Sequence, residues 1–196
     1  MTLVAFTYLD VISTCAQVAS LLVVLAAAVA AIVQLRHLRA SNELEALLTL
    51  TAQLRDPHMQ RALHFVQTQL EARLGEPDYR HQLARVGFVD AELHPEMEVC
   101  NWFNEVGALD KNHLIDEGTF LDLFARLVIY YWSRLTPVVA ILRRERGVGQ
   151  YENFEYLAQL ASVWKSKHPQ GSYPQNLARL PIEDRWLTLD AESNSP

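Results

Sequence analysis

The first 35 residues contain no lysine, arginine or histidine, and their one charge is Asp10. A secretory leader needs a positive n-region and a shorter apolar core, so this absence argues against a cleaved signal peptide. The small residues between Ala26 and Ala31 are the feature that reading would rely on. Cysteine is scarce as well. Cys15 sits in the apolar N-terminal segment and Cys100 far beyond it. No disulfide framework is implied, which suits a reducing compartment. Glycine and proline are sparse, at 7 and 8 residues, and long stretches lack both, which favours helices. HExxH, a CxxC pair, GxxxxGK[ST] and GxSxG are all missing. No cofactor and no metal are therefore implied. All 17 Lys and Arg follow residue 35, mixed with acidic residues to a net charge of −6. That pattern argues against a dedicated nucleic-acid binder.

The uncharged stretch from Val11 to Leu35 is the strongest positive signal. At ~1.5 Å per residue it is long enough to cross a hydrocarbon core of about 30 Å. A buried soluble helix is the alternative, but such helices are usually shorter and carry a polar face. Arg36, His37 and Arg39 follow directly. The positive flank stays in the cytoplasm. The sequence thus predicts an extracytoplasmic N-terminus (1–10), a transmembrane helix (11–35), a helical cytoplasmic domain (36–167) and an irregular C-terminal tail (168–196). The expected location is the inner membrane, single-pass, N-terminus out. A second apolar stretch, Phe120–Leu142, contains Asp122, Arg126 and Arg134. Each mid-helix charge costs ~2.5–3.5 kcal/mol on insertion scales, so this stretch reads as the core helix of the domain.

Along the body, Leu44, Leu47, Leu48, Thr51 and Leu54 recur at helical spacing, with Ser41-Asn42 as a candidate break. Asp56-Pro57 is a helix start, N-cap then first-turn proline. That helix runs to about Arg73, with Met59, Leu63, Val66 and Leu70 on one face. A short piece, Asp78–Val86, and a connector, Gly87–Pro95, follow. Glu96–Val106 reads as a helix, Gly107–Leu114 as a loop, and Asp116 as the N-cap of a long central helix. Pro137 kinks or restarts that helix, and Gly147 stops it. Glu152–Lys167 is the last helix. The fold class is all-α: one N-terminal transmembrane helix and a helical bundle.

Several spaced elements carry a resemblance: Trp102-Phe103-Asn104-Glu105-Val106-Gly107-Ala108-Leu109, Leu114-Ile115-Asp116, Tyr131-Trp132, the run Arg143-Arg144-Glu145-Arg146-Gly147, and Tyr151-Glu152-Asn153-Phe154-Glu155-Tyr156-Leu157-Ala158. In order and spacing, over about residues 35–165, the chain resembles an uncharacterised bacterial domain-of-unknown-function family. The resemblance implies an N-terminal membrane helix before a helical cytoplasmic domain, and no activity.

Candidate chemistry is thin. His58 and His64 are six apart, about 240° around a helix, and cannot share a metal by themselves. Cys100 reads as a buried small hydrophobe. Glu96, four residues before it, would raise a thiol pKa, the wrong direction for a nucleophile. Glu105, Asp116, Glu117 and Asp122 read as caps and solvated carboxylates before they read as a cation site. Trp102, Tyr130, Tyr131, Trp132 and Tyr156 stand at spacing typical of core, with a pocket as the alternative. Arg36, Arg39, Arg143, Arg144 and Arg146 are candidates for contact with a partner or with anionic lipid head groups. The expected function is a membrane-tethered helical interaction, scaffold or regulatory module. Its expected partners are the membrane, an unknown protein and a second copy of the chain, with no nucleic acid. The alternative is a membrane-anchored enzyme or small-ligand sensor with a site between the central and last helices.

Overall fold

A computed structural model describes residues 2–85, 90 and 92–187, with the side chains of 2–12, 14, 15 and 40 left out. The Cys15 side chain, residues 86–89 and 91 where the short piece Asp78–Val86 meets the connector, and the last tail residues (188–196) lie outside what is described. Among the described residues every regular element is a helix. In chain order these are α1 (Thr2–Arg55), α2 (Pro57–Thr68), α3 (Leu70–Leu74), α4 (Pro77–Ala84), α5 (Glu96–Lys111), α6 (Glu117–Arg146) and α7 (Glu152–Lys167).

α1 runs unbroken for 54 residues, about 80 Å. Ser41-Asn42 does not interrupt it. Nothing in Thr2–Arg55 is glycine or proline, and two exposed polar residues leave the i→i−4 ladder intact. Its described residues from Ala16 to Arg39 are exposed on all sides. The consecutive run Leu21 to Leu25 is 60–70% exposed, and successive residues turn by 100°, so no polar face exists. α1 alone, among the described residues, is long and apolar enough to cross a membrane. Its other end differs. Leu50 and Leu54 are buried in the core, and Ala46 and Leu47 pack against it. Leu44 and Leu48 face outward.

The helix boundaries follow from local chemistry. Asp56 caps α2, its Oδ1 accepting from the His58 N–H at 2.8 Å, with Pro57 at the first position. Asp116 caps α6 by accepting from the Thr119 N–H at 2.8 Å. α5 extends past Val106 to Lys111, where a loop was expected. It then closes on a left-handed His113 (φ 56), with the His113 and Leu114 N–H groups donating to Asp110 and Leu109 carbonyls. Pro137 sits on the exposed side of α6 and neither restarts nor ends it. Proline in a helix interior costs about 3 kcal/mol. Burial of Leu135, Val138, Val139, Ile141 and Leu142 around it offsets that cost.

The core is an aromatic cluster joining α5, α6 and α7. Phe103 stacks on Phe154 with centroids 4.7 Å apart, while Trp102 and Tyr131 flank Phe103 and Trp132 meets Phe154 edge-on. The stretch Phe120–Leu142 thus belongs to the interior of the bundle, as its charges predicted. Tyr130 and Tyr156 lie at its margin, each more than a third exposed. Gly107 lets α5 and α7 approach: a Cβ there would lie 2.1 Å from the Asn153 carbonyl oxygen.

Candidate functional site

Two polar features stand out in the body. The first is a cleft of about 890 Å³, open to solvent. The end of α1 and start of α2 supply Gln53, Asp56, His58 and Met59. α5 supplies Met97, Glu98, Asn101, Trp102 and Glu105. Arg146, Gln150 and Tyr151 come from the α6–α7 turn. The last two helices therefore touch it only at their junction, and elsewhere they pack core against core. Its walls are fixed by hydrogen bonds. Trp102 Nε1–H donates to Gln53 Oε1 at 3.0 Å, and the Tyr151 hydroxyl donates to Asn101 Oδ1 at 2.8 Å. His58 Nδ1 lies 2.5 Å from Glu98 Oε2. Tyr151 is held in the left-handed region (φ 58) as the N-cap residue of α7. Burial, and then Cys100 beside it, pushes its phenol well above the ordinary value.

The second feature lies behind the Met97–Tyr151 wall. Glu96 is 0% exposed and its carboxylate oxygens lie 2.7 Å from the Tyr79 hydroxyl, which donates to them. His94 Nδ1 sits 3.0 Å from Glu96 Oε1. The rings of Tyr79 and His94 pack at 4.3 Å, and the Arg73 guanidinium covers Tyr79 from outside. Burial, then the Glu96 charge, drives the Tyr79 phenol far above its usual range. Cys100 follows one helical turn after Glu96. Burial raises its thiol pKa most and Glu96 adds to it, the direction the sequence indicated. This arrangement ties α4, the connector and α5 together and keeps Cys100 a thiol.

The five arginines are not gathered. Arg143, Arg144 and Arg146 share the last turns of α6. Arg143 donates to the Gln150 carbonyl at 2.9 Å and to Glu155 at 2.7 Å, and Arg146 donates to the Arg85 carbonyl at 2.9 Å. Two of the three thus fasten the turn and the end of α4, and Arg144 is exposed. Arg36 and Arg39 are exposed on α1, Arg39 paired with Glu43 at 2.8 Å. Arg36 is 17 residues, about 26 Å, along α1 from Gln53, whose side chain shares the cleft with Arg146.

Sequence reasoning missed Asp110, which falls inside the longer α5. It is 3% exposed, accepts from the Tyr156 hydroxyl at 3.0 Å, and keeps its second oxygen unpaired. Burial raises its carboxyl pKa. Asp116, by contrast, is lowered by hydrogen bonds from Thr119. Among the described residues no group of three His, Cys, Asp or Glu is placed to hold a metal ion.

A family model described as a domain of unknown function (DUF4760) matches residues 21–161. It takes in the second half of the apolar stretch as well as α2 to α6 and most of α7. No curated protein and no solved structure matches the chain.

Proposed function

We propose that this chain, which belongs to the DUF4760 family, is a membrane-tethered helical module that presents its body to partners at the cytoplasmic face of a bacterial inner membrane. The observation that carries this reading is α1. Its residues 16–39 are exposed and apolar on every side, yet the same helix ends inside the core at Leu50 and Leu54. A water-soluble chain would expose far more apolar surface there than the few hundred Å² that monomers tolerate. A bilayer covers it. Arg36, His37 and Arg39 then lie at head-group level, where cations favour the cytoplasmic leaflet. In support of an interaction role, Cys100 is sealed in the core as a thiol, Asp116 caps α6 and Glu98 pairs with His58.

The test is fractionation with a topology reporter. The full chain is expected to resist carbonate extraction, and a reporter fused after Pro196 to be active only in the cytoplasm. Release by carbonate would overturn the tether, and a periplasmic signal the orientation. Replacing Arg36 and Arg39 with Glu is expected to weaken the orientation bias.

A further inference from the structure

We infer that the cleft docks a segment of a partner protein in which a lysine or arginine stands beside large apolar side chains. The inference rests on the interaction role proposed above and not on the tether. Glu98, Asn101, Trp102 and Glu105 line the cleft from α5. Their spacing, i, i+3, i+4 and i+7, sets them on one stripe of that helix. Met59, Met97, Trp102 and Tyr151 also line it, and each is more than nine-tenths buried in the core beneath. Thioethers adapt to aliphatic and aromatic groups alike, and aromatic rings offer large apolar faces. The polar ends of the two rings are satisfied within the chain, by Gln53 and Asn101. An occupant therefore meets a preformed apolar surface with no hydrogen bond of those rings to replace.

Charge decides the rest of the occupant. The lining carries three carboxylates, Asp56, Glu98 and Glu105, and one guanidinium, Arg146. Arg146 is already engaged, donating to the Arg85 carbonyl at 2.9 Å. His58 sits on Glu98, and Asp56 accepts only the His58 N–H among the described residues. Glu105 is exposed and has no hydrogen bond or ion pair among the described residues. Electrostatic complementarity then selects a cationic occupant. The same carboxylates disfavour anionic head groups and nucleic acid.

Size favours a polypeptide over a small amine. Glu98 and Glu105 are two turns apart on α5, about 10 Å along its axis. A single ammonium cannot sit on both. An extended chain spans that distance in about three residues, and its alternate side chains point the same way. A basic side chain can then meet Glu105 while an apolar neighbour lies on the methionines and Trp102.

The experiment presents a displayed library of random short peptides to the full chain in phosphatidylcholine nanodiscs, after depletion on empty nanodiscs. The zwitterionic lipid gives basic peptides no anionic surface to gather on. Enriched peptides are expected to carry Lys or Arg adjacent to Leu, Met, Phe or Trp. Fluorescence anisotropy of one labelled, enriched peptide then gives its Kd. Glu105→Lys, at an exposed position, is expected to weaken binding about tenfold or more. Replacing the peptide's basic residue by Glu, or its apolar neighbour by Ser, is expected to weaken it likewise. Glu71→Lys makes the same charge change on α3, outside the cleft, and is expected to leave the Kd unchanged. Equal loss from Glu71→Lys means attraction to net charge alone and overturns the inference. So does enrichment of acidic peptides. Displacement of the peptide by spermidine at matched ionic strength also overturns it, because that polyamine has no large apolar group. Peptides that bind the Glu105→Lys chain as tightly as the parent keep the interaction role and overturn the cleft assignment, whereas no enrichment at all removes both.

Discussion

Replacing Gly107 with alanine tests the α5–α7 packing directly. In an exposed helix the change would stabilise by about 1 kcal/mol, because glycine is a poor helix former. At this position the new methyl meets backbone, with the Asn153 oxygen at 2.1 Å and its carbonyl carbon at 2.7 Å. Reaching even 3.0 Å requires the helices to part by about 0.9 Å, since neither atom can rotate away. That movement loosens the Phe103–Phe154 stack and the Tyr156–Asp110 and Tyr151–Asn101 hydrogen bonds together. Overpacking of this kind costs about 1–3 kcal/mol, occasionally more. The helix gain offsets part of it, so Gly107→Ala should lose ~1–2 kcal/mol and Gly107→Leu more. Gly118→Ala is the matched control. Its Cβ meets only Asp116 Oδ1 at 3.7 Å, so it should be neutral or stabilising. Urea denaturation of the full chain in mild detergent, followed by tryptophan fluorescence, measures both. A Gly107→Ala protein as stable as the Gly118→Ala protein would refute the close approach.

Asp110→Asn keeps an acceptor for Tyr156 and removes a charge that burial disfavours. A carboxyl whose folded pKa is raised contributes stability below its unfolded pKa and loses it as pH rises through the folded value. The variant should therefore melt higher than the parent at neutral pH, with the gap closing on acidification; a gap that widens in acid would contradict the assignment. Tyr79→Phe leaves the buried Glu96 carboxylate one donor short, and denaturant titration should show a loss of about 1–3 kcal/mol. Leu135→Ala, at a site with no exposure, should cost ~2–5 kcal/mol. The partly exposed Leu127→Ala should cost less in the same titration, and equal losses would contradict the burial pattern.

What the sequence revealed was local. Asp56-Pro57, Asp116 and Gly147 mark helix ends because capping depends on a few adjacent residues, and Glu152–Lys167 matched at both ends. Periodicity found Met59, Leu63, Val66 and Leu70 on one buried face. It grouped Leu44 and Leu48 with Leu47 and Leu54 but could not say which side the body takes: Leu54 is buried, and Leu44 and Leu48 face away from the body. Gly107 was misread as a loop for a related reason. Its use is a contact with Asn153, 46 positions away, and nothing beside it announces that. The candidate site was the least legible part. The Tyr79–Glu96 bond spans 17 positions and Trp102–Gln53 spans 49, while the cleft draws on three separate segments. Pro137 lies between these cases: its intrinsic cost was readable, but the burial that outweighs it was not.

If α1 spans a bilayer as proposed, its unbroken course gives the chain no swivel between anchor and core. With no glycine or proline from Thr2 to Arg55, a turn of the helix about its own axis would be carried as torque to Leu50 and Leu54. The orientation of the cleft relative to the membrane would then be set by helical phase. One residue inserted near Ser41 would swing the body by about 100°, whereas four would bring it back to within about 40° of its original heading, lifted ~6 Å. On that reading the helix would act as a drive shaft as much as a tether, and a change in how it sits in the membrane would re-aim the body as a unit.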